Sequence, residues 1–422
     1  MAVRIKFASV FIAIFIGTAM IASSILLTNY RPAVETNRVT AAAVRATGEC
    51  AACHRHETSS VVHQFEMSRH AAANVTCLDC HMPVEGQEEL DHHNFTITTK
   101  MTSKNCASCH QTEYDQYLRS RHGAPAWAAV AGSKDFTAEQ IEFAESHHPG
   151  TIERPFNQLS ILEGPAAISA GCMNCHDIGK PNDDGSIGNC TDCHARHSTS
   201  IALARQPETC GQCHMGPDHS QLEIYHESKH GVLFHLQKKQ FDLSADPTEL
   251  STADMSVPTC ATCHMSGIEG LKTTHDTTER LSWFLFAATS EKRDHYKQGQ
   301  TEMKETCLKC HTAAPIDAYY EEAEAVVHET NAKVEKAKAL MDSLYEEGLL
   351  TPEPFDEPIE FLYFDYWHYY GRTAKHGAFM GGADFVQWHG NYELLKIMKE
   401  MEEMAEELRK HKGENETGEG DR

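Results

Sequence analysis

The feature that most constrains this 422-residue chain is a short string, Cys-x-x-Cys-His, that contains every one of its sixteen cysteines. In such a string the two thiols can add to the vinyl groups of one haem, and the histidine that follows can bind the haem iron. The sequence therefore predicts eight covalently attached c-type haems. The strings are Cys50, Cys53 and His54; Cys77, Cys80 and His81; Cys106, Cys109 and His110; Cys172, Cys175 and His176; Cys190, Cys193 and His194; Cys210, Cys213 and His214; Cys260, Cys263 and His264; and Cys307, Cys310 and His311.

Paired cysteines can also form half of a zinc site or a disulfide. A zinc protein has no need of a histidine directly after every pair, and it would not place every thiol in one kind of string. Because thioether bonds would consume all the thiols, we expect no disulfides. The apolar fraction of 41% is slightly low for a globular chain of this size. Porphyrins would supply the missing apolar surface of the interior.

The chain is strongly acidic, with 61 Asp and Glu against 37 Lys and Arg and a formal net charge of −24. Haem propionates would make the charge more negative still. No basic stripe offsets this field, so the composition argues against nucleic acid as a partner. A small anionic substrate would need local attraction from iron, arginine or lysine.

Residues 7–30 carry no charged side chain and follow Arg4 and Lys6. An apolar stretch of this length can cross a hydrocarbon core of about 30 Å as a helix, and the positive flank places its amino end in the cytoplasm. A cleaved signal peptide is the alternative, although its apolar region is usually about 7–15 residues long. We therefore expect an anchor over residues 1–30 in the cytoplasmic membrane, with the haem-bearing part in the periplasm or another extracytoplasmic space.

The amino-acid composition of the chain changes after the last haem string. The sequence there is rich in Ala, Glu, Lys and Leu, which predicts long helices over 318–350, 359–376 and 384–411 and no sheet of consequence. We expect a mainly α, multihaem cytochrome c fold with a carboxyl-terminal bundle of long helices. Its predicted parts are a linker over 31–48, an octahaem domain over 49–317, a helical region over 318–411 and an acidic tail over 412–422.

The histidines outside the strings bear on catalysis. The chain has 28 histidines, and eight belong to the strings. A haem that only transfers electrons normally has both axial positions filled, whereas a haem that performs chemistry keeps one open. Each candidate distal ligand could instead be a surface histidine. We expect seven electron-transfer haems and one catalytic haem, with distal ligands drawn from His63, His70, His93 (or His92), His122, His197, His230 and His275.

Several phrases resemble the octahaem cytochromes of the hydroxylamine oxidoreductase family. The most specific is Gly-Pro-Asp-His over residues 216–219, within the stretch 210–231. The number and spacing of the haem strings agree, as do residues 274–275, 280–283 and 371–379. The resemblance covers nearly all of residues 45–400.

This resemblance implies a catalytic centre at the fourth string, with an open distal position on the haem held by Cys172, Cys175 and the proximal His176. The family's distal Asp-His pair corresponds to Asp218 and His219, and its distal tyrosine to Tyr296. A carboxylate beside an imidazole can exchange protons near neutral pH. The alternatives are that His219 is an eighth distal ligand and that Tyr296 is a packed core residue. The family also implies a homotrimer.

One residue departs from the oxidising members of that family. Those members carry a tyrosine that cross-links to the catalytic haem of a neighbouring subunit, and the matching phrase over 382–390 has Phe385 instead. The chain therefore resembles reductive members, which implies reduction of nitrite or hydroxylamine, to hydroxylamine or ammonium. The electron donor would be a membrane quinol dehydrogenase or another cytochrome. Two alternatives stay open: a hydroxylamine or hydrazine oxidoreductase, and a pure electron-transfer conduit.

Overall fold

The computed structural model describes residues 44–217 and 219–418, and the side chains only as far as residue 413. The chain divides into two compact units, residues 1–74 and 75–422. In the first unit, the described residues form helices α1 (Glu49–Glu57), α2 (Ser59–Glu66) and α3 (Arg69–Ala72). An ion pair of 2.5 Å between Arg55 Nη2 and Glu66 Oε1 ties α1 to α2.

The second unit begins with many short helices connected by turns. Segments between haem strings are too short for long elements, so most of these helices have fewer than ten residues. In chain order they are α4 (Cys77–His81), α5 (Ser103–Ala107), α6 (Gln111–Arg119), α7 (Ala124–Ala131), α8 (Ala138–His147), α9 (Gln158–Glu163), α10 (Pro165–Ala170), α11 (Met173–His176), α12 (Ile201–Ala204), α13 (Pro207–Gly211), α14 (Gln221–Glu227), α15 (Lys229–Gln237), α16 (Cys260–His264) and α17 (Tyr296–Cys307).

Sheet structure in the described residues is limited to two antiparallel hairpins. Strand β1 (Leu90–His92) pairs with β2 (Phe95–Ile97), and β3 (Trp283–Phe284) pairs with β4 (Glu291–Lys292). In the second hairpin Trp283 lies opposite Lys292 and Phe284 opposite Glu291. Short 3₁₀ turns cover Asp177–Gly179, Cys190–Asp192 and Lys238–Gln240.

Long helices form the carboxyl-terminal part. A core of apolar side chains, among them Val334, Leu344, Ile359 and Met401, is almost fully buried between them. The helix α18 ends before Gly348, whose φ of +65° suits glycine. The elements are α18 (Ala313–Glu346), α19 (Pro358–Phe364), a π-helical turn (Asp365–Gly371), α20 (Arg372–Met380), α21 (Ala383–Val386), a second π-helical turn (Gln387–Asn391) and α22 (Tyr392–Gly418).

The predicted fold class, mainly α with long carboxyl-terminal helices, is confirmed. The helix predicted over 318–350 begins at Ala313 and ends at Glu346. The stretches predicted over 359–376 and 384–411 are helical too, but each contains a π-helical turn that periodicity did not indicate.

The predicted localisation in the cytoplasmic membrane is wrong. Within residues 44–217 and 219–418, no helix combines the length and the apolar character needed to cross a bilayer. The longest, α18 and α22, carry many Glu and Lys residues. The anchor predicted over residues 1–30 lies outside the described residues, so the membrane assignment and the extracytoplasmic placement that depended on it are withdrawn.

Candidate active site

Helical backbone places the groups of the haem strings. In α4 and α16 the whole string, from first cysteine to histidine, is one turn of helix. Residues three and four apart lie on one face of a helix, so both thiols and the imidazole point the same way. No disulfide joins any two of the sixteen cysteines, all of which lie within the described residues. The arrangement fits covalent attachment to one haem per string.

Three pairs of imidazoles lie at the spacing that a shared iron requires. A metal lies about 2 Å from an imidazole nitrogen, and two such ligands on opposite sides of one iron place their ring centres roughly 6 Å apart. The ring centroids are 5.9 Å apart for His122 and His214, 6.4 Å for His194 and His275, and 5.9 Å for His230 and His311. Each pair joins a string histidine to a predicted distal ligand.

Burial keeps these histidines in the neutral form, which is the form that binds a metal. It lowers the pKa of His122 to about 4 and the pKa of His214 to about 3, because a buried imidazolium loses its hydration. Both rings are therefore neutral near pH 7, which is the form that binds a metal. This chemistry fits haem iron with two axial histidines.

The other predicted distal ligands are less clearly placed. His197 lies close enough to His81 for the two imidazoles to repel each other when charged. His63 and His93 are exposed, and His70 is half-buried in α3. The ring of His93 lies 4.6 Å from that of His92. For these histidines, ligation stays a prediction.

The fourth string is fixed by the helix α7. The Nδ1–H of His176 donates to the carbonyl oxygen of Ala126 at 2.5 Å, which leaves Nε2 as the nitrogen that can bind iron. Gly179, just after the string, packs so tightly on α7 that a Cβ there would lie 2.1 Å from the Gly123 carbonyl oxygen. Close packing of backbone on backbone thus orients the proximal imidazole.

The imidazole of His219 lies close to that of His176 in the fourth string and to that of His214 in the sixth. The ring centroids of His176 and His219 are 6.4 Å apart with nearly perpendicular planes, at 80°, and those of His214 and His219 are 6.1 Å apart. The His219 ring also lies 5.2 Å from Phe286, whose ring lies 4.8 Å from that of His376. The family resemblance implies that His219 lies on the distal side of the fourth haem, and the structure places its ring near both His176 and His214.

Helix α20 holds the segment that carries Phe286. The buried Lys375 Nζ donates to the carbonyl oxygens of residues 287 and 288 at 3.0 and 3.2 Å and to Ser290 Oγ at 2.7 Å. Arg372 Nε donates to the Phe286 carbonyl oxygen at 2.8 Å. Burial and repulsion by Arg372 lower the pKa of Lys375 to about 7. These bonds position the wall beside His219.

The remaining predicted catalytic residues have different outcomes. Asp218 lies outside the described residues. Tyr296 is the first residue of α17, half-buried, with the Lys292 Nζ 4.8 Å from its ring centre. Phe385, at the position of the family's cross-linking tyrosine, is buried on α21 and stacks on His389 at 5.1 Å. The catalytic roles of Asp218, His219 and Tyr296 stay predictions.

Thiols from different strings lie side by side. Cys106 and Cys190 are within hydrogen-bonding distance of each other, and so are Cys175 and Cys213. The Sγ of Cys175 is also 3.8 Å from the Gln212 carbonyl oxygen. Each thiol would attach to a haem edge, so these contacts bring haem edges of different strings together. The fourth string therefore adjoins the sixth.

Sequence reasoning missed several residues around the fourth string. Ala126 acts through its carbonyl oxygen, so its identity carries no signal. Phe286 gives none either, because one aromatic residue in a loop matches no motif. Arg372 and Lys375 belong to the phrase over 371–379, which matches the family. That match could have indicated that they matter, although it does not indicate which groups they contact.

Comparison with a family model agrees with the haem strings. The model described as "Seven times multi-haem cytochrome CxxCH" matches residues 73–358. Among curated proteins, the probable nitrite reductase-hydroxylamine oxidoreductase fusion protein of Kuenenia stuttgartiensis is 23% identical over 369 residues, which cover 74% of this chain and 39% of that protein. The chain thus spans about two fifths of that relative's length.

Two solved structures share the fold. A hypothetical multihaem protein superposes with a TM-score of 0.73 at 22% identity, covering 90% of this chain and 100% of its own. The reducing HAO-like protein complex of Kuenenia stuttgartiensis superposes with a TM-score of 0.64 at 21% identity, covering 87% and 86%. These matches confirm the resemblance at the level of the fold. The family match covers more than half of the sequence, and the chain therefore belongs to the multihaem c-type cytochromes with Cys-x-x-Cys-His strings.

Proposed function

We propose that this cytochrome reduces nitrite or hydroxylamine at the haem bound by Cys172, Cys175 and His176. In this proposal eight haems are attached, and the fourth keeps one coordination position open. His219 and Asp218 supply protons from the distal side. The residues of the sixth string would hold the haem that supplies electrons to the fourth string.

The observation that supports the proposal is the closeness of His219 to His176, whose ring centroids are 6.4 Å apart. A relay imidazole must lie on the distal side of the haem, within reach of a molecule bound there. In this proposal His219 lies to one side of the iron, so that a substrate fits between its ring and the haem. The contact between the thiols of Cys175 and Cys213 supports the electron route, because it links the fourth string to the sixth.

The residues of the chain have distinct tasks in this reaction. When bound, the haem iron supplies a binding position for the substrate nitrogen and passes single electrons to it. Reduction of nitrite takes four electrons to hydroxylamine and six to ammonium, and protons enter with them. His219 delivers protons to the bound substrate, while Phe286 and the buried His376 close the space behind it. The bond from His176 to Ala126 keeps the proximal ring fixed throughout.

Two observations support the reductive direction. Phe385 has no phenolic oxygen, so the cross-link of the oxidising family members cannot form at this position. One solved structure is named a reducing complex, whereas the name of the curated relative combines a nitrite reductase with a hydroxylamine oxidoreductase and does not distinguish the two directions. We infer that the electron donor is another cytochrome and that the molecule is a homotrimer, as the family resemblance implies.

An electron-transfer conduit is the second candidate. The 6.4 Å between His176 and His219 equals the separation of His194 and His275, which we assign as a pair of axial ligands. If both imidazoles bound the fourth iron, no coordination position would be open for a substrate. The protein would then carry electrons without performing chemistry.

Electrochemistry of the purified holoprotein separates these functions. Nitrite, hydroxylamine and hydrazine would be added in turn to protein adsorbed on an electrode. We expect a catalytic reduction current with nitrite or hydroxylamine. An oxidation current with hydroxylamine or hydrazine and no reduction current would assign the opposite direction, and the absence of any catalytic current would favour the conduit.

A further inference from the structure

A group of arginines lies on the second hairpin and beside it. The guanidinium carbon of Arg121 lies 4.0 Å from the ring centre of Phe284 in β3. The backbone N–H of Arg293 donates to the Ser282 carbonyl oxygen at 3.0 Å, which continues the β3–β4 pairing by one step. Side chains alternate between the two faces of a strand. Arg293 therefore shares the face of Phe284, and Arg121 covers that face.

These guanidinium groups have no acidic partner. In residues 44–217 and 219–413, no carboxylate oxygen lies within 4.0 Å of Arg121, Arg293 or Arg154. The Nε of Arg121 is buried and has no hydrogen-bond acceptor among the described residues. Arg293 is half-buried, and Arg154 is exposed at the edge. Both repel the charge of Arg121.

The nearby acidic groups attract these arginines without forming ion pairs with them. The buried His148 donates from Nε2 to the Arg119 carbonyl oxygen at 2.5 Å. Asp276 and Asp294 attract Arg293, and Glu145 attracts Arg154, but none of these carboxylates lies within ion-pair distance of the guanidinium groups. A partly buried charge without an ion-pair partner is unfavourable, and an anion bound there would stabilise it.

We propose that Arg121 and Arg293, with Arg154 at the rim, bind a planar oxyanion, either a carboxylate or nitrite. The guanidinium group suits such an anion, because its parallel N–H donors match two oxygens on one atom. A lysine ammonium group acts as a point charge and does not offer two parallel donors to such an anion. The buried Nε of Arg121 is one donor that such an anion would satisfy.

The position of the group indicates two sources for the anion. Arg121 precedes His122, which pairs with His214, and His176 hydrogen bonds to α7 a few residues later. The anion is therefore a propionate of a haem bound nearby or a nitrite ion on its way to the fourth string. The first source rests on haem attachment alone, and the second also rests on the proposed function.

The test uses Arg121→Gln and Arg293→Gln in the holoprotein, with Arg409→Gln as the matched control. Arg409 pairs with Glu347 on exposed surface of the carboxyl-terminal helices, so its loss removes the same charge elsewhere. Haem midpoint potentials would be measured by spectroelectrochemistry without nitrite, and nitrite binding by optical titration without an electron donor. Neither readout depends on turnover.

If the anion is a propionate, both variants lower the midpoint potential of at least one haem, because less positive charge favours ferric iron. If it is free nitrite, the potentials stay unchanged and the dissociation constant for nitrite rises about tenfold, as expected for loss of one charged hydrogen bond. Unchanged potentials and unchanged nitrite binding in both variants would overturn the proposal. If either variant fails to incorporate haem, Arg121→Lys keeps the charge but loses the fork geometry, and we expect the same changes at smaller size.

Discussion

Replacing His219 with alanine is expected to lower the turnover number for nitrite and hydroxylamine by about a hundredfold to ten-thousandfold. Its ring centroid lies 6.4 Å from that of His176, and in the proposed function the imidazole supplies protons to the bound substrate. Without it, protons would have to come from water. Turnover with an artificial electron donor, together with haem content, measures the effect.

His235→Ala is the matched control, because His235 is an exposed histidine on α15. Its turnover should equal that of the wild type. If His219→Ala instead raised nitrite binding and gained a high-spin haem signal, His219 would be an axial ligand of the fourth iron. Wild-type turnover in His219→Ala would also contradict the relay role.

Replacing Gly179 with alanine is expected to disrupt the fourth haem site and lower the free energy of unfolding by about 3 kcal/mol. The added Cβ would lie 2.1 Å from the Gly123 carbonyl oxygen and 2.9 Å from the Trp127 nitrogen. Both are backbone atoms of the α7 region, so the helix must move. That movement would break the 2.5 Å bond from His176 to Ala126.

Thermal unfolding of the holoprotein and the electron paramagnetic resonance spectrum of its haems check this result. Gly185→Ala is the control: its φ of +81° strains an alanine, but no atom lies within 4 Å of the added Cβ. We expect it to cost only about 1 kcal/mol and to leave the haem spectrum unchanged. Equal effects of the two substitutions would show that the packing of Gly179 on α7 is unimportant.

Much of the haem-binding chemistry could be predicted from the sequence. The Cys-x-x-Cys-His string specifies both covalent attachment and the proximal ligand, because its three groups are held close together along the chain. The predicted distal ligands His122, His230 and His275 could be proposed as a set. Their assignment to particular haems could not, because each pair joins residues far apart along the chain.

The surroundings of the fourth string depend on tertiary packing in a way that no local pattern records. Ala126 contributes a carbonyl oxygen, which any residue has. Lys375 is fully buried although lysine usually lies at the surface, and only its three acceptors explain this. The membrane prediction was wrong for a different reason. It relied on the hydropathy of residues 1–30 alone, and the long helices that the structure describes are too charged to span a bilayer.

In the proposed function, the haem on the fourth string keeps an open coordination position while other haems have two axial histidines. Magnetic circular dichroism of the oxidised holoprotein, with and without nitrite, distinguishes these two kinds of haem. We expect one high-spin haem, which becomes low-spin when nitrite binds, against a background of low-spin haems. A spectrum that is entirely low-spin and unaffected by nitrite would contradict it.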